Sequence, residues 1–226
     1  MRHIVLITLI SLPLFSTFFP QTIHTSISTV SDKSVSLKQS FPINGMSGVV
    51  IHDYGNELKA ITGRVVQYAS RDIKLIESDI IHHDELPTIN TAIKAGDKVI
   101  GGYLYNSILL LAPDAQTYAK ITSMHKKRWV HPDLFALFLS KEGDARPSKE
   151  NLASFAKSYQ IGLIYIVGNG TAKLLDPISG EYVGQKTISG LPAKGNAPFF
   201  MRFDEIDAGW FSEEVTENYY KLMDAI

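Results

Sequence analysis

No cysteine occurs anywhere in the 226 residues. That absence excludes disulfides, thiolate metal sites and a lipid anchor built on an N-terminal cysteine. An excess of either charge is missing too: 22 Lys and Arg stand against 23 Asp and Glu, for a formal charge of -1. Nucleic acid is bound largely by clustered Lys and Arg that release counterions, so no nucleic-acid partner is expected. Enzyme spacings are also lacking. There is no H-E-x-x-H, and Gly45-Met46-Ser47-Gly48 falls short of a G-x-S-x-G elbow. Gly168 and Gly170 sit in a strand-to-strand turn rather than a phosphate loop.

What is present begins with one long apolar run. Arg2 and His3 lead into Ile4 to Phe19, ended by Pro20 and a polar stretch from Gln21 to Ser34. A basic start, a short apolar stretch and a polar exit describe a secretory signal. Ser26-Ile27-Ser28 places small residues where a signal peptidase reads them, so residues 1–28 are read as the leader, cut after Ser28. The alternative is an uncleaved anchor, which would be the only membrane contact. Either reading exports the rest of the chain. Cleavage removes Arg2 and no acid, taking the formal charge from -1 to -2. The absence of cysteine in an exported chain points to a bacterial envelope protein, periplasmic or on the outer surface of a Gram-negative cell.

The full sequence is 45% apolar and 20% charged, as packed globular proteins are. Gly48 to His52, Leu58 to Tyr68 and Ile73 to Ile76 read as strands separated by turns, a meander or small barrel. A β-rich subdomain is expected over 29–86 and a mixed one over 87–226, with one continuous domain over 43–206 as the alternative. In the second part, Ile108 to Leu111 and Gly162 to Val167 are apolar on both faces, as buried strands are. Helices are expected after Pro113-Asp114, after His131-Pro132-Asp133 (with Leu134, Leu137 and Phe138 as its apolar stripe), and after Ser148. Phe199 to Phe203 reads as a last strand, and Ser212 as the cap of a terminal helix carrying Val215, Tyr219, Leu222 and Met223. The fold class is α+β: a β-rich front, then three to four helices on a sheet.

Two constellations invite a functional reading. His82, His83, Asp84 and Glu85 are the one dense set of metal-ligand types, but neighbouring side chains diverge, so a solvated loop is favoured over a metal. A hydrolase using a metal there is the least favoured alternative. No catalytic residue and no cofactor are assigned. Tyr103, Tyr105, Phe199, Phe200, Trp210 and Phe211 could line a groove, with core packing the favoured reading.

Several strings, in order, resemble one family. They are Gly45 to His52, Gly96 to Ile100, Tyr103 to Asn106, Leu109 to Asp114 with Tyr118, His131 to Phe135, Gly162-Leu163, and Pro198 to Phe200 with Arg202. Together they resemble the N-terminal domain of plasminogen-binding surface proteins of epsilon-class proteobacteria. The resemblance implies a non-catalytic envelope protein whose partner is host plasminogen, recognised through lysines. Kringle domains hold a Lys ammonium against acids across an aromatic trough. The sequence ends Lys221-Leu222-Met223-Asp224-Ala225-Ile226, so internal lysines become the candidates. These are Lys126, Lys127 and Arg128, with Asp133 supplying an acid, and Lys221 if the tail is trimmed after it. The alternative is a structural or assembly component of a larger envelope machine, partnered by other envelope proteins.

Overall fold

The computed structural model describes residues 18–31, 34–77, 91–206 and 217–226. The first part is built from β1 (Ile23–Val30), β2 (Val35–Leu37), β3 (Ser47–Gly55), β4 (Leu58–Gln67), β5 (Asp72–Glu77) and β6 (Lys98–Gly101). They form a closed barrel in the order β1-β2-β5-β4-β3-β6, every pairing antiparallel. Closure removes the open edges that a meander of this length would leave for aggregation. Alternation along the strands turns Ile27, Leu37, Val50, Val65, Ile73 and Val99 inward, none more than 2% exposed.

Gln67 is the buried polar tie at one end of the barrel. Its Oε1 accepts from Phe41 N at 2.6 Å, and its Nε2 donates to Phe41 O at 3.2 Å and Asn44 Oδ1 at 3.0 Å.

Two sequence expectations meet this barrel. β1 spans the position read as the cleavage site, so Ser28 lies inside a strand. β6 lies beyond residue 86, yet it pairs with both β1 and β3 and closes the barrel.

The second part holds β7 (Ser107–Leu111), α1 (Ala115–Met124), β8 (Arg128–Val130), α2 (Pro132–Glu142), α3 (Lys149–Tyr159), β9 (Leu163–Val167), β10 (Thr171–Asp176), β11 (Glu181–Thr187) and α4 (Tyr219–Asp224). The sheet order is β11-β10-β9-β7-β8, with β7 parallel to both β8 and β9 and the remaining pairs antiparallel. The doubly apolar strands are explained by this position. Leu109, Leu111, Ile164 and Ile166 face the helices, packing with Phe135, Leu139, Leu152 and Phe155. Ile108, Leu110, Leu163 and Tyr165 face the other way and share a core with the barrel residues Ile27, Val50 and Val99.

The helices start where local chemistry supplies a partner for the free N–H groups. Asp114 accepts from Thr117 N, and Ser148 and Asn151 cap each other's backbone. Gly143 ends α2 at φ 73°, a left-handed conformation open to a residue without a Cβ.

Three expectations need correction. In α2 the buried residues include Phe135, Ala136 and Leu139, whereas Leu134 and Leu137 are exposed. The run Leu134 to Leu139 is apolar at every position, so its period could not choose a face; packing over β7 did. Phe199 to Phe203 is not a strand. Phe200 N donates to Ala112 O, but Arg202 N goes to the Asp133 carboxylate instead of a ladder. The last helix is capped by Asn218, with Tyr219, Leu222 and Met223 buried; Ser212 and Val215 lie outside the described residues.

Candidate functional site

Lys126, Lys127 and Arg128 occupy the link from α1 into β8, an edge strand of the sheet. The link is fixed by two local bonds and one across the sheet: Lys127 N donates to His125 O at 2.9 Å, Trp129 Nε1 to His125 O at 3.0 Å and Arg128 N to Asn106 O at 2.8 Å. Extended backbone sends successive side chains to opposite sides. Lys126 and Arg128 are exposed, whereas Lys127 turns back and lays its ammonium 4.9 Å from the Phe19 ring centre. Desolvation there lowers the Lys127 pKa from its ordinary value, and burial does the same to His125, helped by Lys186 and Lys127.

Lys221 sits on α4, exposed, with its Nζ 3.1 Å from Glu217 Oε1 one turn earlier. Arg146 Nη1 reaches the other oxygen of the same carboxylate at 3.0 Å. The bond to Lys221 is the main cause holding Glu217 below the usual carboxylate value. Lys221 therefore shares the Glu217 carboxylate with Arg146.

The Asp133 carboxylate, expected to pair with the basic link, is committed elsewhere. It is 7% exposed, accepting from Arg202 N at 2.9 Å and Arg202 Nε at 2.6 Å. His131 caps α2 by accepting from Asp133 N at 3.2 Å. Burial is the largest influence on both residues. It lowers the His131 pKa, and works to raise that of Asp133, but the hydrogen bonds from Arg202 outweigh it and hold the carboxyl low. A Nδ1 that accepts from a backbone N–H belongs to the neutral imidazole. Around this pair, Tyr118 packs 5.1 Å from His131 and 5.5 Å from Phe200, centre to centre. Three of the strings carrying the resemblance, 69 residues apart between Asp133 and Arg202, thus meet as one latch at the ends of β7 and β8. Both residues were visible in the sequence; their contact was not, because no local pattern links positions so far apart.

Sequence reading also missed Asp176, which is wholly buried at the junction of the two parts. Its Oδ2 accepts from Ser47 N of β3 at 2.8 Å and from Tyr105 Oη at 2.7 Å, and its Oδ1 accepts from Ile178 N at 2.8 Å and Ser179 N at 3.2 Å. Beside it a cleft of about 370 Å³ runs between barrel and α3, carrying Arg64, Lys157, Tyr103 and Tyr105 in its lining.

The aromatic set does not form one groove. Tyr105 belongs to the barrel-side core and Phe199 to the helix-side core, Tyr103 is 46% exposed, and Trp210 and Phe211 lie outside the described residues. His82, His83, Asp84 and Glu85 also lie outside them. Among the described residues no cluster of metal-ligand side chains occurs, and no helix is long and apolar enough to cross a membrane.

Comparison with known proteins places these features in a family. The family model described as "Plasminogen-binding protein pgbA N-terminal" matches residues 22–226. Two proteins of Helicobacter pylori named plasminogen-binding protein PgbA are similar. That of strain J99 is 31% identical over 165 residues, 70% of this chain and 35% of the relative. That of strain 26695 is 31% identical over 148 residues, 62% of this chain and 32% of the relative. The chain thus spans about a third of the length of these curated relatives. No solved structure matches. The relatives are named as binding proteins rather than enzymes. The chain belongs to the family of plasminogen-binding protein pgbA N-terminal domains.

Proposed function

We propose that this protein is an exported, non-catalytic envelope protein that binds a protein partner, plasminogen, through lysine side chains. The family match over residues 22–226 is the observation that carries the reading, together with two relatives named for plasminogen binding. The basic start at Arg2 and the apolar run that follows it support export to the periplasm or outer surface.

The residues proposed for contact are Lys126, Lys127, Arg128 and Lys221, in two separate places. Lys126 and Arg128 are exposed at the sheet edge and free to turn towards a partner. Lys127, packed on Phe19, supports that edge and leaves it only by giving up its ring contact. Lys221 with Glu217 carries a cation and an anion on one exposed turn, which suits a trough that binds both charges of lysine.

Capture of plasminogen by the full chain, with and without a lysine analogue, tests the proposal. Binding is expected to fall with salt, to be competed by the analogue, and to weaken in Lys126→Ala/Arg128→Ala or Lys221→Ala. Thermal unfolding should be unchanged in these surface variants. Binding indifferent to analogue and substitutions removes the lysine sites. No binding in any arm shifts the reading to the assembly role, whose partner would co-purify from the native envelope. Stoichiometric zinc lost on His82→Ala would instead favour the hydrolase.

A further inference from the structure

We infer that residues 18–30 are a permanent part of the folded domain, so that any proteolytic removal of the apolar leader stops before Phe18 rather than after Ser28. The inference rests on the export reading for the existence of a leader, and on described contacts for its boundary.

β1 is the first support. Its eight residues pair with β2 on one side and β6 on the other, which is how the barrel closes. Cutting after Ser28 would take away Ile23 to Ser28 and leave Thr29 and Val30. All four pairings to β6 would go, from Ile23 with Gly101 to Ser26 with Lys98, and so would the fully buried Ile27. Ser28 itself is engaged, its hydroxyl donating to Ser36 O at 2.9 Å. A signal peptidase works on the chain before it folds, so the fold does not shield this bond. It shows that the product would be an open barrel, with β6 unpaired along one side and β2 keeping only Thr29 and Val30 of β1.

The second support lies upstream of the strand. Phe18 and Phe19 cross the face of the five-stranded sheet turned away from α2 and α3, their rings 5.3 Å and 6.2 Å from Tyr165. Phe19 also meets His125 at 5.0 Å. Lys186 lies 4.4 Å over Phe18 and Lys127 4.9 Å over Phe19, so each ring is held by a cation as well as by apolar contact. Gly184 of β11 makes room for this strap: a Cβ there would stand 2.6 Å from Phe18 O. Pro20 is buried, and Thr22 Oγ1 donates to Gly102 O at 3.0 Å, leading directly into β1. Sequence hydropathy could not separate Phe18 and Phe19 from the leader, because a core residue and a leader residue are equally apolar.

Two measurements on the full chain test this. Protein from the envelope fraction is expected to begin at or before Phe18, by intact mass and N-terminal sequencing. A terminus beyond Phe18, at Thr29 above all, overturns the inference. Intact Met1 found only in the cytoplasm sinks the export reading instead, and the second measurement then decides the boundary. Purified full chain is digested with a protease of broad specificity. The resistant fragment should start at or before Phe18, and in Gly184→Val trimming should pass Phe18 with a thermal midpoint lower by at least about 2 °C. A resistant, cooperatively unfolding fragment that starts beyond Phe18 in the unaltered chain overturns the inference. So does a Gly184→Val protein with unchanged fragment and midpoint.

Discussion

Tyr105 donates its phenolic proton to Asp176 Oδ2 at 2.7 Å, inside the protein where neither side chain is more than 2% exposed. Burial is the main reason the phenol is pushed far above its ordinary value, and the Asp176 charge adds to it. The phenol therefore stays a donor. The carboxylate also holds Ser47 N of the barrel and the turn after β10, so one acid fastens barrel to sheet.

Removing the donor is expected to cost stability. Tyr105→Phe should lower unfolding free energy by about 1.5–3 kcal/mol, the range for hydrogen bonds to a charged group. Asp176→Ala strands three backbone N–H groups besides the phenol and should cost more. Denaturant titration reads both. A Tyr105→Phe midpoint equal to that of the unaltered protein would mean that water replaces the bond and that the junction is held by packing alone.

The latch between α2 and the segment before residue 206 should behave asymmetrically. Arg202→Ala removes one bond from a guanidinium side chain that is 69% exposed, while Arg202 N still reaches Asp133. Asp133→Ala removes both acceptors and strands the part-buried backbone N–H of Arg202. We expect Asp133→Ala to cost about 1–3 kcal/mol and Arg202→Ala distinctly less. The reverse order in thermal or chemical unfolding would refute this account of the latch.

Acid should weaken the fold in two stages. His131 and His125 are both held below 6.5 by burial, so the unfolded chain binds more protons than the folded one just below that value. The stability they contribute is fully present above about pH 6.5 and is lost as pH falls through their lowered folded values. Asp133, held below its ordinary 3.8, loses its contribution only at more acid pH. His131→Asn keeps a side-chain acceptor at the helix cap and removes the titration, so its stability should fall less between pH 7 and 5. An identical slope for both proteins over that interval would assign the sensitivity elsewhere.

Much of the architecture was legible in the chain. Turn residues and β-branched runs marked β3, β4 and β5, and Asp114, Ser148 and Gly143 marked helix ends, because these signals act within a few residues. The candidate lysines were legible as charges, but which are free was not. Lys127, unlike the exposed Lys126, meets an aromatic ring brought from residue 19.

The sequence by itself determined the local elements, the family and the apolar run from Ile4 to Phe19, since each is written in composition, spacing or order along the chain. Tertiary structure alone decided which face of α2 is buried, that β6 belongs to the barrel, that Asp133 serves Arg202, and that Phe18 and Phe19 pack on the sheet. These depend on partners far away in sequence: β1 finds β6, and Phe18 finds Gly184. Hydrophobicity states that a residue will leave water; only the closed chain states against what.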